Sequence, residues 1–499
     1  MKKLFQILAL LCAVALILGL TGCSGKKENT SETGSSELQS AEEGKAPEGT
    51  DESEIELTAP GSETSVESLG GAGSATASQN TVSTSNPVGG GYTLTTEQEK
   101  KFASLRGTTM TYMQQTSVLS DYDKKMNQLM LDKYGVTMKP VVMSWAEMRT
   151  KIASLVASKT APDFVSFSDV VMMRYVSTNI AQAIDSYLVK DDGVWSRGGH
   201  SDFMTVNSKT YGVGEYRDQT YYVYYNQTLF DELRIKTPYD YYAEGNWNFE
   251  NFRKAAREAT VKKGNVVETY GVVTWNPTVF LMANGASGIV NSGGKWSVSL
   301  GDTASMNALQ LVRDIAADGS FSNAIDGYTG FLKRQNAMLI ERPQNAIGAY
   351  DYYNVMKDKI GMAPMPKGPD VSGYYAPSTI DGYFVPLGSV NPLAAVAFMY
   401  EKRRVEIEEE VSTDPEMVAK KNRVMSEEHR KIRDGYMTKA TQITTDLDGL
   451  SDWWDGASNR PKFWNKLIVD HSQPAQAVDS MKSMVLDCLK KTVGGTNVK

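Results

Sequence analysis

Residues 107–167 constrain the fold class most, because they switch between strand and helix patterns at a regular interval. Residues 107–113 read as a strand. Residues 121–134 read as a helix with Tyr122, Met126, Leu129, Met130 and the stem of Lys133 along one side, closed by Gly135. Residues 136–143 form a second strand, Ser144 caps a helix through Ala157, and a third strand occupies 164–167 after Ala161-Pro162-Asp163. Strands alternating with helices of this length pair in parallel with helices on both faces, which is the α/β class. In an open sheet of that kind, ligands gather beyond the carboxyl ends of the strands. Trp145, Ser168 and Asp169 stand at such ends.

The second constraint is the stretch 211–249, YGVGEYRDQTYYVYYNQTLFDELRIKTPYDYYAEGNWNF. Tyr221 to Tyr225 has the β-branched and aromatic composition of a buried strand, and Asn226 stops it. Leu229, Phe230 and Leu233 then fall at helical spacing until Pro238, and Asn248 is the N-cap of a further helical run over 249–261. In 270–284, YGVVTWNPTVFLMAN, Trp275-Asn276-Pro277 follows directly on a strand. Residues 291–296 read as a surface hairpin, and 303–317 as an amphipathic helix presenting Met306, Leu309, Leu311, Val312 and Ile315. Asn391-Pro392 opens another helix. Residues 403–439, dense in both charge signs, read as solvated helices. Residues 451–464 hold three of the eight tryptophans, which either pack against the second half of the chain or reach the ligand.

Three passages resemble the extracellular solute-binding proteins of bacterial ABC importers, in the sugar-binding branch: the strand, Tyr-Asn, short helix, proline and Trp-started helix of 211–249; the succession TMTYMQQ, YGVTMKPVVMSW and TAPDFVSFSD; and residues 360–401, a strand, a Pro-Gly-rich loop, a glycine-containing strand and the helix at Asn391-Pro392. The resemblance implies a two-lobe periplasmic-binding-protein-like fold of type II, with crossing hinge segments and a helical C-terminal extension. One lobe would comprise 94–222 and 341–384, the other 223–340 and 385–499. The resemblance also implies an importer receptor that clasps a carbohydrate, an oligosaccharide, between the lobes and passes it to the permease subunits. Candidate ligand-binding residues are Trp145, Ser168, Asp169, Glu215, Tyr216, Trp275, Asn276, Arg342, Tyr350 and Asp381. Trp145 and Trp275 would stack on the ligand from opposite lobes, with Asp169 and Asp381 accepting hydrogen bonds from its hydroxyls.

The N-terminus fits export. Lys2 and Lys3 precede an uncharged apolar run from residue 4 to 20 that ends in Leu20-Thr21-Gly22-Cys23. A run of about 17 residues sits at the short edge of what spans a bilayer. Cysteine directly after Leu-Thr-Gly resembles the bacterial lipobox, which implies a signal peptide over 1–22, a diacylglycerol and palmitate-type anchor on Cys23, and a mature protein on the outer face of the cell membrane. Residues 24–91 contain no aromatic residue and carry 12 acidic residues against 3 lysines. Too little apolar surface is available there to offset the entropy of ordering, so 23–93 is expected to be a disordered acidic tether, with an r.m.s. reach of roughly 45 Å. Cys488 alone would remain as a thiol in the exported body, so no disulfide framework is expected there, and it reads as a small buried hydrophobe.

The tether's net −9 and the +2 of Lys2 and Lys3 together account for the chain's net charge of −7, leaving the body near neutrality. A neutral body has no long-range field for nucleic acid. No cofactor, metal or catalytic signature is expected: three histidines lack neighbours at metal or triad spacing, and no GxSxG, HExxH, P-loop or dinucleotide fingerprint occurs. The body is rich in aromatics, with 25 tyrosines and 8 tryptophans, and these offer flat apolar faces with polar edges that suit sugars. A monomeric binding protein and not an enzyme is the expectation. The alternatives are a surface glycan hydrolase or lyase, a sugar-coat adhesin, or a receptor of the same fold for peptide or ferric iron. Iron would need adjacent tyrosinates, yet the doublets at Tyr221 and Tyr224 belong to a strand whose alternate side chains face opposite ways.

Overall fold

The computed structural model describes residues 96–115, 117–168, 175–176, 178–190, 193–195, 203–206, 208–214, 219–286, 288–292, 295–322, 326–343, 352–378, 381–424, 426–439, 443–444 and 459–499. The signal peptide, Cys23 and the tether lie outside these residues, as do Asp169, Glu215, Tyr216 and Tyr350.

Strands β1 (Thr109–Gln114) and β2 (Thr137–Val142) pair in parallel, with the helix Asp121–Tyr134 returning the chain between them. Local chemistry sets that helix. The Ser120 hydroxyl accepts from the Asp123 amide, Asp123 reaches back to the Ser120 amide, and Gly135 ends the helix at φ 66°. Ser144 and Glu147 repeat the capping box for the helix Trp145–Ala157. Strand β3 (Val165–Ser168) follows, joined to β1 by a parallel bridge between Tyr112 and Phe164. Next come β4 (Phe203–Val206) and β5 (Lys209–Gly214), an antiparallel pair. One face of this first body buries Phe102, Met126, Met130, Phe164 and Trp195; the other buries Met113, Met148, Ile152 and Val165.

The second body is built on β6 (Tyr222–Asn226), in which every residue is buried. Tyr222 and Tyr224 face one core, whereas Tyr221, Val223 and Tyr225 face the other, the alternation of a strand covered on both sides. In chain order it is followed by β7 (Val261–Lys263) and β8 (Val266–Val273), then a separate hairpin of β9 (Ile289–Ser292) and β10 (Lys295–Val298), then β11 (Asn336–Glu341) and β12 (Ile360–Pro364). The five-stranded sheet has the order β12-β6-β11-β8-β7. The helix Phe249–Glu258 crosses β8 at Gly271, where a Cβ would come within 1.9 Å of the Ala256 carbonyl oxygen. The amphipathic helix Thr303–Ala317 has the predicted bounds and buries Leu309, Leu311, Val312 and Ile315. It packs on the C-terminal helices Asn459–Ile468 and Pro474–Val493, whose Phe463, Leu467, Val478 and Leu489 complete the same core. Trp464 is buried there too, so this member of the tryptophan cluster packs; Trp453 and Trp454 lie outside the described residues.

The chain then passes through β13 (Ala376–Pro377) and β14 (Asp381–Phe384); β13 later pairs in parallel with β15 (Ile443–Thr444). Strand β14 inserts between β3 and β5, antiparallel to both. In the first body, parallel pairing therefore holds for β1 and β2 and at the β1–β3 bridge, and gives way where a strand from the far end of the chain closes the sheet.

Three expectations are corrected by the packing. Strand β12, assigned from sequence to the first lobe, pairs with β6 in the second sheet, because its buried Met362 and Ala363 fill the two cores on either side of that sheet. Conversely the helix Pro392–Val411, assigned to the second lobe, buries Ala394, Phe398 and Tyr400 in the first core. Nor does the charged run begin as a solvated face: Arg403 is only 2% exposed and donates from Nε to the Val194 carbonyl at 2.7 Å, and Glu401 is enclosed by three donors. Paired and hydrogen-bonded charges tolerate this burial. Farther on, the helix Glu427–Lys439 lays Ile432 and Tyr436 against the second sheet, although its Glu427–Lys431 pair is solvated.

Candidate functional site

The two bodies meet where chain segments run side by side. Thr220 bridges to Ser378, the Tyr221 amide donates to the Pro377 carbonyl at 2.8 Å, and Gln219 Nε2 donates to the Asp381 carbonyl at 3.0 Å while its own side-chain oxygen accepts from the Asp381 amide. Strand β11 ends here with Glu341, and β14 begins here with Asp381. These ends bring together four of the predicted residues: Trp275, Asn276, Arg342 and Asp381.

Trp275 leaves the end of β8 and is 43% exposed, a large ring beside a buried strand. Its indole Nε1 donates to Glu341 Oε2 at 2.5 Å, and its ring lies 6.3 Å from that of Tyr221. Glu341 is 0% exposed and also accepts from Tyr328 Oη at 2.5 Å and, at Oε1, from the Arg342 amide at 2.8 Å. Burial and the neighbouring carboxylate push the Tyr328 hydroxyl far up, so it remains a donor. Arg342 Nη1 donates to Asp381 Oδ2 at 2.6 Å, and its guanidinium sits 5.8 Å from the centre of the Tyr221 ring. Burial opposes the charge on Arg342, but the Asp381 carboxylate outweighs it and holds the guanidinium protonated.

Asn276 is fully buried. Its Nδ2 donates to Tyr221 Oη at 3.4 Å and its Oδ1 accepts from the Thr278 amide at 3.3 Å, bonds that shape the turn after β8. Trp145 opens the helix after β2, and Ser168 ends β3 directly opposite Asp381; for both, the backbone position is what is described.

The sequence reading missed Glu341, Tyr328, Tyr221 and Gln219 as site residues. Glu341 was hidden because it closes the apolar run NAMLIE. A second group was also missed: a cavity of about 240 Å³ at the carboxyl end of β1, lined by Gln114, Gln115, Tyr122, Asp123, Tyr383 and Lys402 among others. The strand-end rule that selected Ser168 applies equally to Gln114, which ends β1. Lys402 Nζ sits 5.3 Å from the ring centres of both Tyr122 and Tyr383, and 3.4 Å from Glu406. Among the described residues no group of His, Cys, Asp and Glu could hold a metal ion, and no helix is long and apolar enough to cross a membrane.

Comparison with known proteins agrees with this architecture. Residues 116–400 match the bacterial extracellular solute-binding protein family, more than half of the chain. Among solved structures, an ABC substrate-binding protein from Listeria monocytogenes in complex with cycloalternan superposes with a TM-score of 0.60 at 16% identity, covering 78% of this chain and 99% of that one. The galacto-N-biose/lacto-N-biose I-binding protein of the ABC transporter from Bifidobacterium longum gives 0.58 at 12%, covering 77% and 97%. The maltose/maltodextrin-binding domain from Bdellovibrio bacteriovorus bound to maltotriose gives 0.56 at 14%, covering 76% and 99%. No curated protein sequence matches significantly. These structures share the two-lobe type II fold, and the family match extends over most of both bodies; the chain belongs to the bacterial extracellular solute-binding proteins.

Proposed function

We propose that this protein is the lipid-anchored receptor of an ABC importer and that it captures a carbohydrate, an oligosaccharide, between its two bodies for delivery to permease subunits. In this reading the chain is exported by its first 22 residues, acylated at Cys23 and held to the outer face of the membrane by an acidic tether, and the body acts as a monomer. It binds its ligand without turning it over.

The observation that carries the reading is Trp275. Its N–H is committed to Glu341 while the side chain stays 43% exposed, which leaves apolar ring surface of the kind that suits the apolar face of a pyranose. The solved structures of similar fold hold cycloalternan, lacto-N-biose and maltotriose, which supports a carbohydrate over peptide or iron. Ligand binding must favour the closed arrangement of the lobes by differential affinity, since equal affinity for both forms shifts nothing.

Calorimetry against a panel of mono- and oligosaccharides tests this, with the sugar recovered and analysed afterwards. Saturable binding of an unchanged oligosaccharide is expected, and Trp275→Ala should weaken it by about 2 kcal/mol, roughly thirtyfold. Cleavage of the sugar would replace the receptor by a glycan hydrolase or lyase. Unaltered affinity in the variant would remove Trp275 from the site.

A further inference from the structure

We propose that Glu341 is a positioning residue, whose buried carboxylate fixes the plane of the Trp275 ring and so sets how the site selects ligands with flat apolar faces. The proposal rests on the carbohydrate reading above and assigns its selectivity to a residue that does not touch the ligand.

A carboxylate with no solvent exposure is costly to keep in a protein unless its oxygens are satisfied. Here Oε2 receives both Trp275 Nε1 and Tyr328 Oη, while Oε1 receives the Arg342 amide. An apolar side chain of the same size would fill this place at lower cost in desolvation, so burial alone does not explain a charge here. The three donors differ in what they need. Tyr328 and the Arg342 amide are held by their own elements, the helix Gly327–Leu332 and the end of β11. Trp275 stands on the turn after β8 with much of its ring in solvent, and its packing against Tyr221 is a tilted contact at 52°. The charge-assisted bond from Nε1 is thus what fixes the ring's rotation about its own axis. A ring already oriented loses less freedom when a sugar stacks on it, which is how preorganisation raises affinity. The same carboxylate lies 3.7 Å from Arg342 Nε, and Arg342 reaches Asp381 on the other sheet, so the ring is referenced to the junction between the bodies as well as to its own turn.

The test uses the full-length protein labelled with 15N in its indole groups, the Trp275 signal being assigned by its loss in Trp275→Phe. In the unliganded wild type, the Trp275 Nε1 proton should exchange with solvent at least about tenfold more slowly than that of an indole of equal exposure, because it is held in a hydrogen bond. Fast exchange there would overturn the proposal without any ligand. Oligosaccharide affinity is then compared across Glu341→Gln, Trp275→Phe and the double variant. Glu341→Gln should weaken binding by about tenfold in the wild-type background and less than twofold where residue 275 is phenylalanine, which has no N–H to hold. Equal losses in both backgrounds would show that Glu341 acts through the fold, and would contradict the proposal. If no sugar in the panel binds while the indole proton remains protected, the carbohydrate reading fails and the positioning role stands.

Discussion

Asp163→Asn is expected to lower the stability of the folded protein by about 3–5 kcal/mol, because one carboxylate ties its own segment to two others. Oδ2 accepts from the Thr111 amide at 2.8 Å, the Thr111 hydroxyl at 3.1 Å and Asn391 Nδ2 at 3.2 Å. Oδ1 accepts from the Ser389 hydroxyl at 2.9 Å and the amides of Val390 and Asn391 at 3.1 and 2.9 Å. The bonds tie β1 and the start of β3 to the N-terminus of the helix Pro392–Val411. An asparagine presents one acceptor oxygen and an NH2 group that faces donors, so buried amides are left unmatched. The pH dependence follows from the same contacts. Burial pushes the Asp163 carboxyl up, but the hydrogen bonds from Thr111, Asn391 and Ser389 outweigh it and leave the folded value below the usual carboxylate range. A depressed folded value means that the contribution is complete above the unfolded value of about 4 and is lost as the pH falls through the folded one. Chemical denaturation at pH 7 should show the full difference between wild type and variant, and the gap should narrow in progressively more acidic buffer. A gap independent of pH would show that the charge of Asp163 is not what the segments share.

The second large effect is expected at Glu401. Its oxygens accept from Lys133 Nζ at 2.9 Å, Tyr134 Oη at 2.6 Å and Arg404 Nε at 2.8 Å, inside the first core. Burial raises the Glu401 carboxyl, yet the charges of Lys133 and Arg404 bring it below its ordinary value. Tyr134 is driven strongly upward by burial and by the same carboxylate, so its hydroxyl keeps its proton. Glu401→Ala opens a cavity, strands the Tyr134 hydroxyl and leaves the half-buried Arg404 with only Glu408 beside it. Breaking a buried ion pair by removing one partner costs about 3–5 kcal/mol. Thermal unfolding should show the loss as a clear drop in midpoint. A change no larger than that of a solvent-exposed pair would mean that this cluster is wet in solution.

Much of the local architecture is legible in the sequence because it is set locally. Ser144 and Asn248 cap their helices from the positions that the capping patterns predict, and residues 303–317 bury the stripe that their spacing defines. The helix expected over 249–261 ends at Glu258 instead, since Val261–Lys263 turns back at Gly264, φ 61°, to pair with β8. Features that depend on distant partners are not legible. Strand β14 joins β3 and β5 across more than 160 residues, and Glu401 is buried only because Lys133 and Tyr134 come to it from another helix. At the site, sequence reasoning proposed Arg342 and Asp381 as ligand contacts, and the structure pairs them with each other across the junction. It named Trp275 from its place after a strand, but the residue that holds its ring reads as the polar end of an apolar strand.

The central claim is that two bodies close on a neutral sugar, and closure is measured most directly as a distance. Spin labels at Lys125, in the first body, and Glu258, in the second, both solvent-exposed, would report it by pulsed dipolar spectroscopy in protein whose native cysteines are replaced. Addition of the oligosaccharide that calorimetry identifies should shorten the distance and narrow its distribution, with smaller shortening in Trp275→Ala at the same sugar concentration. Saturated binding with an unchanged distance distribution would contradict the account.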